Sequence, residues 1–264
     1  MKYGMPTLVE CKGINECVDV ARELGIDFIE INMSFPEYLP SALNAQELRE
    51  VTRKWGIGYT IHADEMLNPF DFNKKVSDVY FDVMRDTIRF AIDIGATVIN
   101  MHLLKGVYVT TPGKVLLLTD VYREEYLGRV CDFIKMCEEE IGDRALKIAI
   151  ENVDSNPFTD AQRAALKYFL ESPVFALTLD TGHEHCLSGA DRDIYLSNPD
   201  KVMHMHLHDA KGKSAHLPLG SGDVTVIEKM KENRGNTCLI EVKTVAGLRE
   251  SLEYLKNVKE GIER

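Results

Sequence analysis

The run VMHMHLHD at positions 202–209 places His204, His206 and His208 at every second residue of an otherwise apolar stretch. Residues two apart on a β-strand project to one side, so this spacing aligns three imidazoles, groups that serve as acid–base catalysts and metal ligands. The core of a sheet does not hold three such groups unless a metal or a polar ligand satisfies them. Acids recur in equally apolar settings: Glu30 in FIEIN, Glu151 in IAIEN, Asp180 in LTLDTGH and Glu241 in LIEV. Glu30 taken alone reads as a buried carboxylate paired with a lysine, and His185 and His204 as satisfied loop or core residues. Glu151, Asp180, His206 and Glu241 are different, because they fall on successive predicted strands. Three carboxylates crowded together repel one another, and a divalent cation is the simplest compensation. Three carboxylates with one imidazole suit Mn²⁺, Zn²⁺, Mg²⁺ or Co²⁺.

The elements that must carry these groups follow a repeat of strand then helix. Apolar runs at 3–9, 28–33, 57–62, 97–103, 147–153, 175–180, 201–208 and 237–243 read as strands. Helical spacing over 15–24, 45–55, 76–94, 121–141, 160–170, 190–196, 224–232 and 245–258 fills the intervals, with Gly25, Gly56 and Gly95 as helix stops. Eight such units predict a parallel sheet closed on itself: a single α/β domain over residues 1–264, a (β/α)₈ TIM barrel. All eight histidines, at 62, 102, 183, 185, 204, 206, 208 and 216, fall at the ends of predicted strands or in the loops after them, and none on a predicted helix. That rim is where barrel enzymes build their active sites. The connections 68–75 and 105–118 are long enough to act as lids, the second turning at Thr110, Thr111, Pro112 and Gly113.

Composition narrows the function further. With 45% apolar and 28% charged residues the chain can bury a large core, and a net charge of −11 without any Lys/Arg-rich run disfavours a nucleic-acid substrate. No stretch has the roughly 18 uninterrupted apolar residues of a membrane span, and the N-terminus carries no signal-peptide core, which predicts a cytoplasmic protein. The six cysteines show no CxxC pair and read as reduced, mostly buried thiols.

Five motifs, IEN at 150–152, LDTGH at 179–183, HLHDAK at 206–211, HLPLGSGD at 216–223 and IEV at 240–242, resemble those of the xylose-isomerase-like TIM-barrel superfamily, over essentially the whole chain. That superfamily contains sugar isomerases, sugar and sugar-phosphate epimerases, inosose-processing enzymes and endonuclease IV-type apurinic endonucleases. The resemblance implies that Glu151, Asp180, His206 and Glu241 are the metal ligands and that His183 holds a substrate hydroxyl. It also implies that Glu151 and Glu241 face opposite sides of the substrate, one removing a proton beside a carbonyl and the other returning it, with the metal stabilising the enediolate. The other rim groups, His62, His102, His208 and His216, are expected to contact substrate. Lys211, with Lys105 and Lys213, could meet a phosphate or carboxylate on it. The free-ketose 3-epimerases carry a glutamate and an arginine where this chain has Pro157 and Gly212, which argues against that particular activity. The endonuclease branch binds three zinc ions through positions matching His62, His102, Glu151, Asp180, His183, His206, His216 and Glu241, but Ser214 stands where it has an aspartate. The isomerase or epimerase reading is therefore the preferred one and apurinic endonuclease the alternative. It implies a small-molecule sugar or sugar-phosphate substrate, no organic cofactor and a possible homo-oligomer.

Overall fold

Buried four- to six-residue segments alternate with amphipathic helices, and the segments pair in parallel until the last meets the first. The structure is a computed structural model and describes residues 1–153, 155–232 and 237–262. The barrel strands are β1 (Lys2–Pro6), β2 (Phe28–Asn32), β3 (Gly58–His62), β4 (Val98–His102), β7 (Lys147–Glu151), β8 (Phe175–Asp180), β9 (Val202–Leu207) and β12 (Thr237–Ile240). They close in the order β1-β12-β9-β8-β7-β4-β3-β2. Two antiparallel hairpins, β5 (Tyr108–Thr111) with β6 (Lys114–Leu117) and β10 (Asp209–Lys211) with β11 (Ser214–Leu217), are inserted after β4 and β9. The expected barrel is therefore present.

The outer layer is built by α1 (Ile14–Leu24), α2 (Ala45–Trp55), α3 (Lys74–Ile94), α4 (Leu118–Val121), α5 (Arg123–Ile141), α6 (Asp160–Glu171), α7 (Thr181–Cys186), α8 (Arg192–Ser197), α9 (Val226–Glu232) and α10 (Val245–Ile262). Local chemistry sets their limits. Asn44 caps α2 by accepting from the amides of Gln46 and Glu47, and Thr159 forms a reciprocal capping box with Gln162 at the start of α6. Gly25, Gly56 and Gly95 end α1, α2 and α3 in the left-handed conformation, as their spacing predicts. The inner faces bury aromatic rings against the barrel, with Phe133 fully buried against Phe70, Phe81 and Phe175.

The structure departs from the sequence expectation in three places that matter to the site. The segment 105–118 is not a loop but mostly the β5–β6 hairpin, turning at Pro112 and Gly113 while Thr110 and Thr111 sit in the ladder. Helix α7 follows β8 directly, so His183 and His185 are on a helix after all. Between β8 and β9 the register shifts: Leu177 partners Val202 but Thr178 partners His204, leaving Met203 as the extra, 38% exposed residue of a bulge.

Candidate metal centre and active site

The C-terminal ends of the barrel strands bring the chemistry to one place. His62 ends β3, His102 ends β4, Glu151 ends β7 and Asp180 ends β8. His206 is one residue from the end of β9. Glu241 lies just past β12, still aligned because its amide donates to the Leu207 carbonyl across the β9–β12 seam at 3.0 Å. One ligand atom each from Glu151, Asp180, His206 and Glu241 can be chosen so that all four lie within 4.8 Å of one another, all buried.

His206 shows what this cluster fits. Its Nδ1 faces Glu241 Oε2 at 3.0 Å, Glu151 Oε1 at 3.2 Å and Asp180 Oδ2 at 3.8 Å. The ring is fully buried, yet among the described residues neither of its nitrogens, nor Glu241 Oε2, completes a hydrogen bond. Buried polar atoms are ordinarily hydrogen-bonded. An unpartnered ring nitrogen surrounded by three carboxylates has the donor set and convergence of a divalent-cation site. These four residues would hold the ion.

Neighbouring groups fix the ligands. Asn100 and His102 both hydrogen-bond Glu151 Oε2, the latter at 3.2 Å. Asp180 Oδ1 caps α7 by accepting from the His183 amide at 2.7 Å. The side chain of Asn152 bridges to β8 through both of its polar atoms: Nδ2 donates to the Asp180 carbonyl at 2.8 Å, and Oδ1 accepts the Asp180 amide at 2.9 Å. His208 Nε2 reaches Asp180 at 3.0 Å, and His208 Nδ1 accepts the His216 amide at 2.8 Å. His216 stacks on His208 with ring centroids 4.4 Å apart and sits at φ 59°, a left-handed conformation unusual for a non-glycine residue and most often kept at functional sites. Asp209 anchors the returning loop by accepting from the amides of Gly220 and Val224.

Electrostatics follow from this crowding. Burial opposes charge on His62 and His183, but nearby carboxylates outweigh it: Glu151 holds His62 at about 9, and Asp180 with Glu151 holds His183 at about 10. His206 is likewise raised well above the ordinary imidazole value despite its burial, by Glu151, Glu30 and Glu241. Burial would raise Glu151 and Glu241, but His206 foremost draws both well below the usual carboxylate range. His204 goes the other way, lowered by burial in spite of Glu30.

A cavity of about 510 Å³ opens above the cluster, lined by His62, His102, Glu151, His183, His216 and Glu241. That volume is in the range of small-molecule sites. Two expected contacts are not brought to it. His208 is buried behind Asp180, and Lys211 is exposed on β10, away from the cavity wall. Lys105 does line it, donating to Asn156 Oδ1 at 2.9 Å, and so does Lys243, whose Nζ donates to Glu241 Oε1 at 2.7 Å. Of the segments expected as lids, 105–118 reaches the cavity through Lys105; at the other, Glu65 and Met66, just before 68–75, supply the wall. Lys243 and Asn100 were not singled out by the sequence. The first lies two residues beyond Glu241 and the second two residues before His102 on β4, a same-face spacing that could have revealed both. Among the described residues, no helix is long and apolar enough to cross a membrane.

Comparison with known proteins agrees with this architecture. A family profile described as a xylose isomerase-like TIM barrel matches residues 18–258. An uncharacterized protein of Methanocaldococcus jannaschii, MJ1614, is 25% identical over 230 residues, 85% of this chain and 84% of its own length. A solved structure described as a D-tagatose 3-epimerase-like protein superposes with a TM-score of 0.79 at 25% identity, covering 100% of this chain and 98% of that one. The IOLI protein, solved with a bound zinc atom, shares the fold at a TM-score of 0.75 and 16% identity, covering 98% of each chain.

Proposed function

The chain belongs to the xylose isomerase-like TIM barrel family, and from that premise we propose that it is a divalent-cation-dependent isomerase or epimerase of a sugar, sugar phosphate or related polyol ketone. The observation that carries the reading is the buried, unpartnered Nδ1 of His206 among Glu151, Asp180 and Glu241. When bound there, the cation supplies Lewis-acid polarisation of a substrate carbonyl. Glu151 and Glu241 are the proton-transfer pair. They rise from β7 and from the end of β12, with β8 and β9 between them in the barrel, and so approach a bound substrate from separate sides. One ionised carboxylate takes the proton from the carbon beside the carbonyl; returning it to the neighbouring carbon completes an isomerisation, and a proton delivered to the opposite face by the other carboxylate, once that has taken one up from solvent, completes an epimerisation. Lys243 biases Glu241 toward its ionised form, and His102 and Asn100 do so for Glu151. His183 donates through Nδ1 to the Asn152 carbonyl at 3.0 Å, which leaves Nε2 for a substrate hydroxyl. Similarity to a D-tagatose 3-epimerase-like structure supports the same chemistry.

Protein loaded with Mn²⁺ and incubated in D₂O with ketoses, inososes and their phosphates should incorporate deuterium at a carbon next to the carbonyl. No exchange on any of them would refute the assignment. A second reading has its own support: His62, His102 and Glu151 form one further group of ligand-competent atoms within 4.8 Å, and His183, His208 and His216 another. An apurinic endonuclease predicts close to three zinc ions per chain and nicking of an abasic oligonucleotide; an isomerase predicts fewer ions and no nicking. Elemental analysis separates them directly.

A further inference from the structure

Glu30 has no part in the proton transfers described above, yet it is one of the most deeply buried charges in the protein, 1% exposed on the luminal side of β2. Its two oxygens are divided between different partners. Oε2 accepts from Thr60 Oγ1 at 2.9 Å and lies 3.1 Å from His204 Nε2. His204 is in turn secured through Nδ1, 2.7 Å from Thr237 Oγ1. Oε1 is left for His206, whose Nε2, without a completed hydrogen bond among the described residues, it faces at 3.1 Å on the side of the ring away from the three carboxylates. In barrel order β2 and β9 are separated by β1 and β12, so Glu30 meets His206 across the lumen rather than along the sheet.

We infer that Glu30 is the positioning residue of the cation site: by accepting the Nε2 proton of His206 it fixes the tautomer that presents the Nδ1 lone pair to the ion and orients the ring. The inference rests on the reading of His206 as a ligand. A carboxylate without a hydrogen-bonding partner is costly in a barrel lumen, and the Oε2 network meets that cost: Thr60 and His204 hold the side chain so that Oε1 points at one atom. A carboxylate behind a ligating histidine is a recurrent way of raising ligand basicity and setting ring orientation. In this arrangement Glu30 acts through His206.

The test is a competition titration of ion-stripped protein with Zn²⁺ against a chelating indicator, for wild type, Glu30→Gln and Thr237→Val. It is joined by long-range ¹⁵N–¹H correlation of the histidines in zinc-loaded wild type. Glu30→Gln should weaken zinc binding by about 10- to 100-fold, while Thr237→Val, which loosens only the His204 end, should stay within about threefold of wild type. The spectrum should show His206 bound through Nδ1 and carrying a slowly exchanging proton on Nε2. Unchanged affinity in Glu30→Gln, or an equal loss in Thr237→Val, overturns the inference and leaves Glu30 as a partner of His204 only. If Glu30→Gln does not fold, the wild-type spectrum decides: ligation through Nε2 overturns the inference, and ligation through Nδ1 with a protected Nε2 proton upholds it. Failure of wild type to bind zinc would strike the functional proposal itself, a distinct result.

Discussion

In protein stripped of divalent ions, protons occupy part of the place a cation would take, so binding must release them. His62 is held at about 9 and His183 at about 10, against about 6.5 for an ordinary imidazole. At 1.36 kcal/mol for each tenfold change, these correspond to about 3 and about 5 kcal/mol of preference for the charged ring in the folded protein. The preference comes from Glu151 and Asp180 overcoming burial, and a dication on those carboxylates takes that charge away. His206 must also surrender any proton on Nδ1 to become a ligand. Binding at pH 7 should therefore release at least about one proton per ion, and each proton released steepens log affinity by one per pH unit, so apparent affinity should rise on the order of 100-fold or more between pH 6 and pH 8. Isothermal titration with Mn²⁺ at pH 7, in buffers of different ionisation enthalpy, reads the proton count from the slope of heat against that enthalpy. Zero slope together with flat affinity across the range would show that the ion displaces no protons, and the electrostatic account of the site would be wrong. The same shifts set the stability of the stripped protein. Its folded state holds more protons on His62 and His183 than the unfolded chain does, so their contribution is complete below about 6.5 and is lost as pH rises through about 9 and about 10. Chemical denaturation of stripped protein at pH 7 and pH 10 checks the sign: the midpoint should be lower at pH 10.

Gly182 sits where a Cβ would overlap the His208 imidazole that backs onto Asp180. Gly182→Ala should cost about 1–3 kcal/mol, several degrees of melting temperature. Adding His208→Ala should recover part of the loss, and strictly additive losses would disprove the clash. Asn152→Ala leaves the amide and carbonyl of Asp180 without their side-chain partners in a buried setting, at about 1–3 kcal/mol for each group left unsatisfied. A urea midpoint equal to wild type would show that water replaces them. Asp209→Ala removes the acceptor of the Gly220 and Val224 amides, so amide exchange in 212–224 should speed up while that of the barrel strands stays unchanged. Equal acceleration in the strands would mean that the loop and barrel unfold together.

How much of this was legible in the sequence depends on whether a feature is carried by local pattern or by barrel closure. The alternation of apolar strands and amphipathic helices is local, as are the glycine stops, and both appear where the sequence places them. Ionisable groups in apolar strands also mark themselves, which is why Glu151, Asp180, His206 and Glu241 were identifiable before any geometry. The same signal flagged Glu30 but not its partner: among the described residues no lysine pairs with it, and His204 and His206 face it across the lumen. Such cross-lumen pairs are fixed by strand tilt and stagger, which no single strand encodes. His208 continues the alternation of His204 and His206, but β9 ends at Leu207 and the chain turns into the β10–β11 hairpin, so its ring is directed to Asp180 rather than to the cavity. Lys211 rides out on that hairpin for the same reason. The bulge at Met203 sharpens the point. It shifts the β8–β9 register by one residue, and a one-residue slip exchanges the faces of a strand; the shift puts His206, not Met205, level with Asp180. The pairing on which the proposed ion site depends therefore rests on an irregularity that the alternating pattern itself would have argued against.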